Sequence, residues 1–289
     1  MKLMAVITLM RPHQYVKNLF IFLPLFFAVK INNAELLGNA FIAFITFSLT
    51  TSAVYTLNDY LDIEEDRNHP KKKKRPLASG TINKPEAICI MILLCLAGML
   101  MMAALSFPAV TILFGYVLMN IAYSVYLKHV SIIDVVTISV GFVFRLFVGS
   151  AVTQVHLSMW IVIMTFLLAL FMALAKRRDD VLIYLDTGKK MRNVVDGYNL
   201  QLLDSAMIIM ASVVIVAYTL YTTSSEVVAR IHSEYLYLTA FFVIVGILRY
   251  LQIAFIQKDA GSPTKIVLKD RFIQITLVGW ILSFGWILY

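Results

Sequence analysis

The sequence predicts an all-α fold, a polytopic membrane bundle of about nine transmembrane helices, and three observations point there. Of its 289 residues 60% are hydrophobic and only 15% charged, with a mean hydropathy of +0.82, far from the composition of a water-soluble domain. The apolar residues fall in runs long enough to cross about 30 Å of hydrocarbon as helices of about 20 residues. Finally, 22 of the 25 Lys and Arg residues lie in alternate inter-helix segments, the asymmetry that marks cytoplasmic loops.

The elements follow in order. Residues 1–10 are apolar but run straight into Arg11-Pro12 with no small-residue cleavage site, so they are expected to stay as an interfacial helix and not to leave as a signal peptide. The first span, 15–30, is the shortest and is interrupted by Pro24, which predicts a tilted or broken helix and keeps an even count of eight open. The remaining spans are expected at 37–57, 86–106, 108–127, 132–150, 157–175, 203–223, 235–255 and 272–289. Cys89 and Cys95 share one span about 240° apart on a helical wheel, so they read as packing residues and neither a disulfide nor a metal site. No internal repeat, low-complexity segment or soluble domain interrupts the pattern. The chain is expected to be a single transmembrane domain, residues 1–289, in a cell inner membrane, with its N-terminus and the polar loops at about 58–85 and 176–201 in the cytoplasm. The net charge of +8 then reads as topology and as affinity for an anionic inner leaflet, not for nucleic acid.

Chemistry concentrates where the spans end. At 100° per residue Asn58, Asp62, Asp66 and Asp59 fall at about 0°, 40°, 80° and 100°, within one third of a helix circumference. Oxygen ligands so spaced suit Mg²⁺, which keeps several waters and takes one or two carboxylates plus substrate phosphates. The bland alternative, a solvated helix end, fits less well because Asn58 and Asp59 follow an apolar span directly. Lys71, Lys72, Lys73 and Lys74 need no reading beyond a basic cytoplasmic loop. Arg75 differs, because Pro76 fixes the backbone beside it and Gly80 closes a turn soon after, so its guanidinium can be held for a bidentate grip on phosphate.

The second polar loop opens Lys176-Arg177-Arg178-Asp179-Asp180 and continues through Tyr184, Asp186, Lys189, Lys190 and Arg192. On a helix Asp179 and Asp186 face nearly away from Asp180, so Asp180 with Lys176 and Arg177 is the expected functional face, against the alternative of an interfacial helix of mixed charge. Arg145 lies inside the span 132–150. Such a residue costs roughly 2.5–3.5 kcal/mol on insertion and should meet an anion within the bundle; Asp134 on the same face is about 16 Å away, too far for a direct pair. Near the N-terminus Arg11, Gln14, Lys17 and Asn18 enter the membrane together, and snorkelling explains Arg11 equally well.

At these residues the chain resembles the UbiA-type intramembrane prenyltransferase superfamily, whose first signature Asn-Asp-x-x-Asp-x-x-x-Asp is matched in full by Asn58 to Asp66. Arg11-Pro12-His13-Gln14-Tyr15-Val16-Lys17-Asn18, Asp66-Arg67-Asn68-His69-Pro70, Arg75-Pro76 and Gly141-Phe142-Val143-Phe144-Arg145 resemble the polyprenyl-phosphate phosphoribosyltransferase branch, and the likeness covers nearly the whole chain. One departure matters: the superfamily's second Asp-x-x-x-Asp signature is absent, and Lys176 to Asp180 looks like the Lys-Arg-x-x-Glu form of that branch, with Asp180 at the Glu position. The role of Asp186 stays open.

The resemblance implies a Mg²⁺-dependent enzyme that transfers 5-phosphoribose from phosphoribosyl diphosphate (PRPP) to a polyprenyl phosphate, within the chemistry of cell-envelope glycans. It implies Asp59, Asp62 and Asp66 as metal-holding catalytic residues and Asn58 as the group that orients them. Lys17, Arg67, Arg75, Lys176 and Arg177, with Asp180, would contact phosphates and substrate, and Lys128 and Arg145 would place the acceptor or donor. Membrane lipids are the expected surroundings; a homo-oligomer stays open. Two other classes are weighed: a prenyltransferase acting on an aromatic or quinone precursor, which should carry the missing second Asp pair, and a transporter or flippase, which should carry its charges at the bilayer midplane on broken helices.

Overall fold

The computed structural model describes residues 2–68, 72–188, 193–257 and 263–288. Of the residues singled out above, His69, Pro70, Lys71, Lys189, Lys190 and Arg192 lie outside the described residues.

Among the described residues every regular element is helical. The first is α1 (Lys2–Met10), followed by a 3-10 helix (Pro12–Phe22), α2 (Leu23–Phe27) and α3 (Ala34–Leu61). Next come α4 (Ile63–Asn68), α5 (Lys84–Leu105), α6 (Phe107–Val125), α7 (Ile133–Thr153) and α8 (Met159–Thr187). The chain closes with α9 (Leu200–Thr223), α10 (Ser225–Ile231), α11 (Ala240–Gln252), which runs into a π-helical turn (Ile253–Gln257), then α12 (Pro263–Lys269) and α13 (Arg271–Leu288).

Short polar side chains set the starts. Asn33 accepts from Leu36 N–H, Ser106 from Ala109, Ser158 from Trp160, Asn199 from Leu202 and Ser224 from Val227, so each helix has one of its unpaired N–H groups satisfied before it enters apolar surroundings. Asn83 and Glu86 form a reciprocal capping box at the start of α5. Gly188 ends α8 at φ 67°, a left-handed conformation that favours glycine.

Among the described residues eight helices are long and apolar enough to cross a membrane, and they match eight of the nine expected spans. The segment 15–30 is instead a 3-10 helix and the short α2. Pro12 and Pro24 explain this: each removes a backbone donor and fixes φ, and no uninterrupted run of about 20 residues is left.

The chain divides into two compact units, Met1–Leu157 and Ser158–Tyr289. In the first, α3 lies along α5 and α7 packs on α6, α3 and the 3-10 helix, around Ile21, Phe47, Met102, Leu113 and Val148. Two glycines permit the closest approaches: a Cβ on Gly98 would overlap Thr50 Oγ1 and the Thr46 carbonyl, and one on Gly149 would overlap the Ile21 carbonyl. In the second unit α8 pairs with α9 and α11 with α13. Trp280 Nε1 donates to Tyr218 Oη (2.7 Å), whose hydroxyl also bonds Thr239 (2.8 Å), which satisfies three polar groups among apolar helices. Both cysteines are free thiols, as their spacing predicts.

Candidate active site

The helix that carries the first motif is polar inside. Thr46, Ser48, Thr50, Thr51, Ser52 and Thr56 of α3 are all buried. Thr46, Thr50, Thr51, Ser52 and Thr56 each donate to a carbonyl one turn back, so hydroxyls are accommodated in an apolar bundle without loss of hydrogen bonds. This stripe receives the N-terminal segment. The Asn18 amide donates to Ser48 Oγ (2.9 Å), Tyr15 Oη bonds Ser52 Oγ (2.8 Å), and Ser52 Oγ bonds the Met10 carbonyl (2.9 Å).

At the C-terminal end of α3 the chain breaks once, at Asp62 (φ −94°, ψ 11°), before α4 begins. On a helix Asn58, Asp59, Asp62 and Asp66 share one face, and in the fold the three carboxylates of that face take different sets of cations. Asp59 and Asp66 are 2% and 1% exposed and share a guanidinium: Arg75 Nη1 donates to Asp59 Oδ1 at 2.8 Å and to Asp66 Oδ2 at 2.6 Å. Arg11 Nη2 donates to the same Asp59 oxygen and its guanidinium stacks over Tyr55 at 5.3 Å. Asp62 takes a separate partner, Lys128 Nζ at 2.5 Å. Pro76 and the turn through Gly80 (φ 76°) hold Arg75 where its sequence context predicts.

Arg67 does not join this cluster. Its Nη1 donates to Glu64 (2.9 Å) and its Nε to the Ala78 carbonyl (3.4 Å), with half the side chain exposed. Deeper in the unit, Arg145 is 4% exposed. Its Nε donates to Asn18 Oδ1 (2.9 Å), Nη1 to the Gly141 carbonyl (2.5 Å) and Nη2 to Tyr116 Oη (3.5 Å). Phe47, Tyr116 and Phe142 surround the guanidinium at 5.1–5.4 Å. Lys17, next to Asn18 in the chain, is half-buried.

In the second unit Arg177 and Arg178 are buried at the end of α8. Arg177 Nη1 donates to Asp180 Oδ2 at 2.8 Å, the face chosen from the sequence, with Lys176 adjoining. Arg178 turns elsewhere: Nε donates to Asp204 Oδ1 (2.6 Å), Nη1 to the Ala254 carbonyl in the π-helical turn (2.7 Å), and its plane covers Phe255 at 4.8 Å.

Sequence reasoning missed the Arg178–Asp204 pair, the full engagement of Arg11 with Asp59, and Asn18 as the partner of Arg145. Asn18 and Arg11 carried a signal in the Arg-Pro-x-Gln-x-x-Lys-Asn motif. Asp204 carried none, because an isolated acid at a helix start reads as an ordinary surface residue.

The donors fit a hard cation. Asn58, Asp59, Asp62 and Asp66 offer only oxygen at the first motif, and the buried Asn58 Oδ1 and Asp66 Oδ1 have no hydrogen-bond donor, a deficit that a cation would relieve. Among the described residues no three His, Cys, Asp or Glu side chains are gathered into a metal cage; the carboxylates are instead neutralised by Arg11, Arg75 and Lys128. An anion that drew Arg75 away would release Asp66 Oδ2 and leave Asp59 Oδ1 held by Arg11. The arrangement is suited to bind a cation and a phosphate by exchange of partners.

This membrane bundle, with a buried carboxylate–guanidinium cluster at a helix end, defines a multi-pass intramembrane enzyme. A family model described as the UbiA prenyltransferase family matches residues 19–282, and the chain belongs to that family. It is 29% identical to a decaprenyl-phosphate phosphoribosyltransferase of Mycolicibacterium smegmatis over 99% of this chain and 92% of that protein. It is 27% identical to one of Corynebacterium glutamicum over 96% and 84% respectively. Among solved structures, a UbiA homolog from Archaeoglobus fulgidus bound to GPP and Mg²⁺ shares the fold with a TM-score of 0.73 at 18% identity, over 98% of this chain and 99% of that one.

Proposed function

We propose that the chain is a Mg²⁺-dependent polyprenyl-phosphate phosphoribosyltransferase, a single catalytic domain in the cell inner membrane with its N-terminus and motif loops on the cytoplasmic side. The observation that carries the reading is the near-full-length likeness to decaprenyl-phosphate phosphoribosyltransferases. In the reaction an oxygen of the lipid monophosphate forms a bond to C1 of the ribose as the bond from C1 to the diphosphate oxygen breaks, its electron pair leaving with diphosphate. Charge develops on the departing oxygen and positive character on C1, so fixed charges and alignment accelerate the step. The acceptor is already an anion and needs no strong base.

Asp59, Asp62 and Asp66 would hold Mg²⁺, with Asn58 completing the oxygen set; the metal supplies neutralisation of diphosphate charge. Arg75 would grip a diphosphate oxygen, Arg11 would keep Asp59 ionised and oriented, and Lys128 would do the same for Asp62. From the second unit, Lys176, Arg177 and Asp180 are proposed as substrate-binding residues because of the form of their motif. The polyprenyl tail would lie against apolar helix faces, which is the physical reason for an intramembrane enzyme.

The test is a partition assay. Purified protein in detergent receives a polyprenyl phosphate, labelled PRPP and Mg²⁺, and label is followed into the organic phase. Label that enters the lipid, stops with chelator and is lost in Asp62→Ala supports the reading. Absence of label, with a prenyl diphosphate consumed when an aromatic acceptor is added, replaces it with the prenyltransferase.

A further inference from the structure

The second unit holds a buried cation to which the proposed reaction gives no role. Arg178 stands in the run Lys176 to Asp180 at a place that the Lys-Arg-x-x-Glu form leaves open, and it is 6% exposed. Three helical elements meet at its guanidinium. Nε, on α8, donates to Asp204 Oδ1 of α9 (2.6 Å), Nη1 donates to the Ala254 carbonyl (2.7 Å), and the plane covers Phe255 at 4.8 Å. Ala254 is fully buried and lies in the π-helical turn that follows α11, a widened turn of the kind that recurs at functional sites. About two helical turns earlier on α8, Phe171 packs on Tyr250 of α11 with ring centroids 5.2 Å apart. Side chains thus tie α8 to α11 at two levels.

A guanidinium is a planar fork, so bonds to a carboxylate on one helix and a backbone carbonyl on another fix its plane and, through its stem, the rotation of α8 about its own axis. That rotation sets the neighbouring residues. At 100° per residue Arg178 lies 100° from Arg177 and 160° from Asp180, so the anchor faces nearly away from the Arg177–Asp180 pair (2.8 Å). We infer that Arg178, with Asp204, is a positioning residue: it locks the end of α8 onto α9 and the π-helical turn, and so fixes the direction in which Arg177 and Asp180 meet substrate.

A staple between helices alone would be served as well by apolar packing, which avoids the cost of burying charge. Burial of the neighbour explains why a precise anchor is useful. Arg177 is 1% exposed, so packed atoms keep its side chain from swinging to recover a misplaced guanidinium, and an angular error of α8 passes to it in full. At the side-chain radius of about 5–6 Å, a helix rotation of about 10° moves a group by about 1 Å. Displacements of that size can cost roughly 100-fold in rate when they disturb substrate alignment.

The inference rests on the proposed substrate role of Arg177 and Asp180, and a mutant cycle separates their failures. Arg177→Lys identifies which KM, for PRPP or for polyprenyl phosphate, depends on the motif. Arg178→Lys keeps the charge and loses the fork; it is expected to raise that same constant about three- to tenfold and leave the other within about twofold of wild type. Asp204→Asn, at a half-exposed position, should raise it by a smaller factor. In the Arg177→Lys background Arg178→Lys should add less than about a further twofold, because the group it positions is already altered. A general loss of folded protein lowers the maximal rate and leaves both constants where they were. A fall in maximal rate alone, or effects of Arg177→Lys and Arg178→Lys that simply multiply, overturns the positioning role and leaves the transferase intact. No change in either constant in Arg177→Lys overturns the substrate role of the motif face and the inference with it. A wild-type protein that makes a prenylated aromatic product instead overturns the phosphoribosyl transfer, and the same cycle is then read on the constant for the prenyl diphosphate.

Discussion

The two charged levels of the first unit are built on opposite principles. At the end of α3 each carboxylate faces a cation, and Asp59 and Asp66 share one guanidinium across sequence separations that no local motif creates. Around Asn18, by contrast, Lys17 and Arg145 pair with no carboxylate among the described residues. Breaking a buried pair leaves a charge unpaired, whereas removing an unpaired charge relieves a cost. The upper level should therefore be needed for stability and activity together, whereas in the lower one Arg145 is held by neutral partners and only the Lys17 charge can be removed without breaking a contact.

The largest expected effect is at Asp59. Asp59→Asn leaves Arg11 and Arg75 facing a neutral amide, and should cost about 3 kcal/mol of stability and remove transfer; thermal unfolding and the partition assay read both. Arg75→Lys keeps the charge but loses the planar guanidinium proposed to grip phosphate bidentately, so kcat/KM should fall roughly 10- to 100-fold with a smaller loss of stability. Gly149→Ala should destabilise by about 1–3 kcal/mol, because the new methyl meets backbone and not a flexible side chain. Lys17→Met should leave the unfolding midpoint unchanged or higher while transfer weakens; a large fall in the midpoint would erase the contrast between the two levels. Smallest of all, Lys2→Ala removes only an exposed pair with Glu86 and should shift neither midpoint nor rate.

The parts of this picture that were legible in the sequence are those with a period or a motif. Eight spans follow from hydropathy alone, and the acidic signature located Asp59, Asp62 and Asp66 because helical spacing is fixed. The rest depends on tertiary pairing. Nothing local says which cation each acid of Asn58 to Asp66 will meet, and in the fold Arg75 takes Asp59 and Asp66 while Lys128 takes Asp62. The segment 15–30 had an apolar composition suited to a span, and the constraints of Pro12 and Pro24 on the backbone prevailed over it. Arg178 sits in the same charged run as Arg177 yet binds Asp204 and Ala254 O, a choice made by which side of α8 faces α9.

The most direct test of the central claim offers the purified protein both chemistries at once: PRPP with a polyprenyl phosphate, and a prenyl diphosphate with an aromatic acid, under Mg²⁺, with lipid products identified by mass. The account predicts a phosphoribosylated polyprenyl phosphate and release of diphosphate from PRPP. A prenylated aromatic product with PRPP untouched would contradict it.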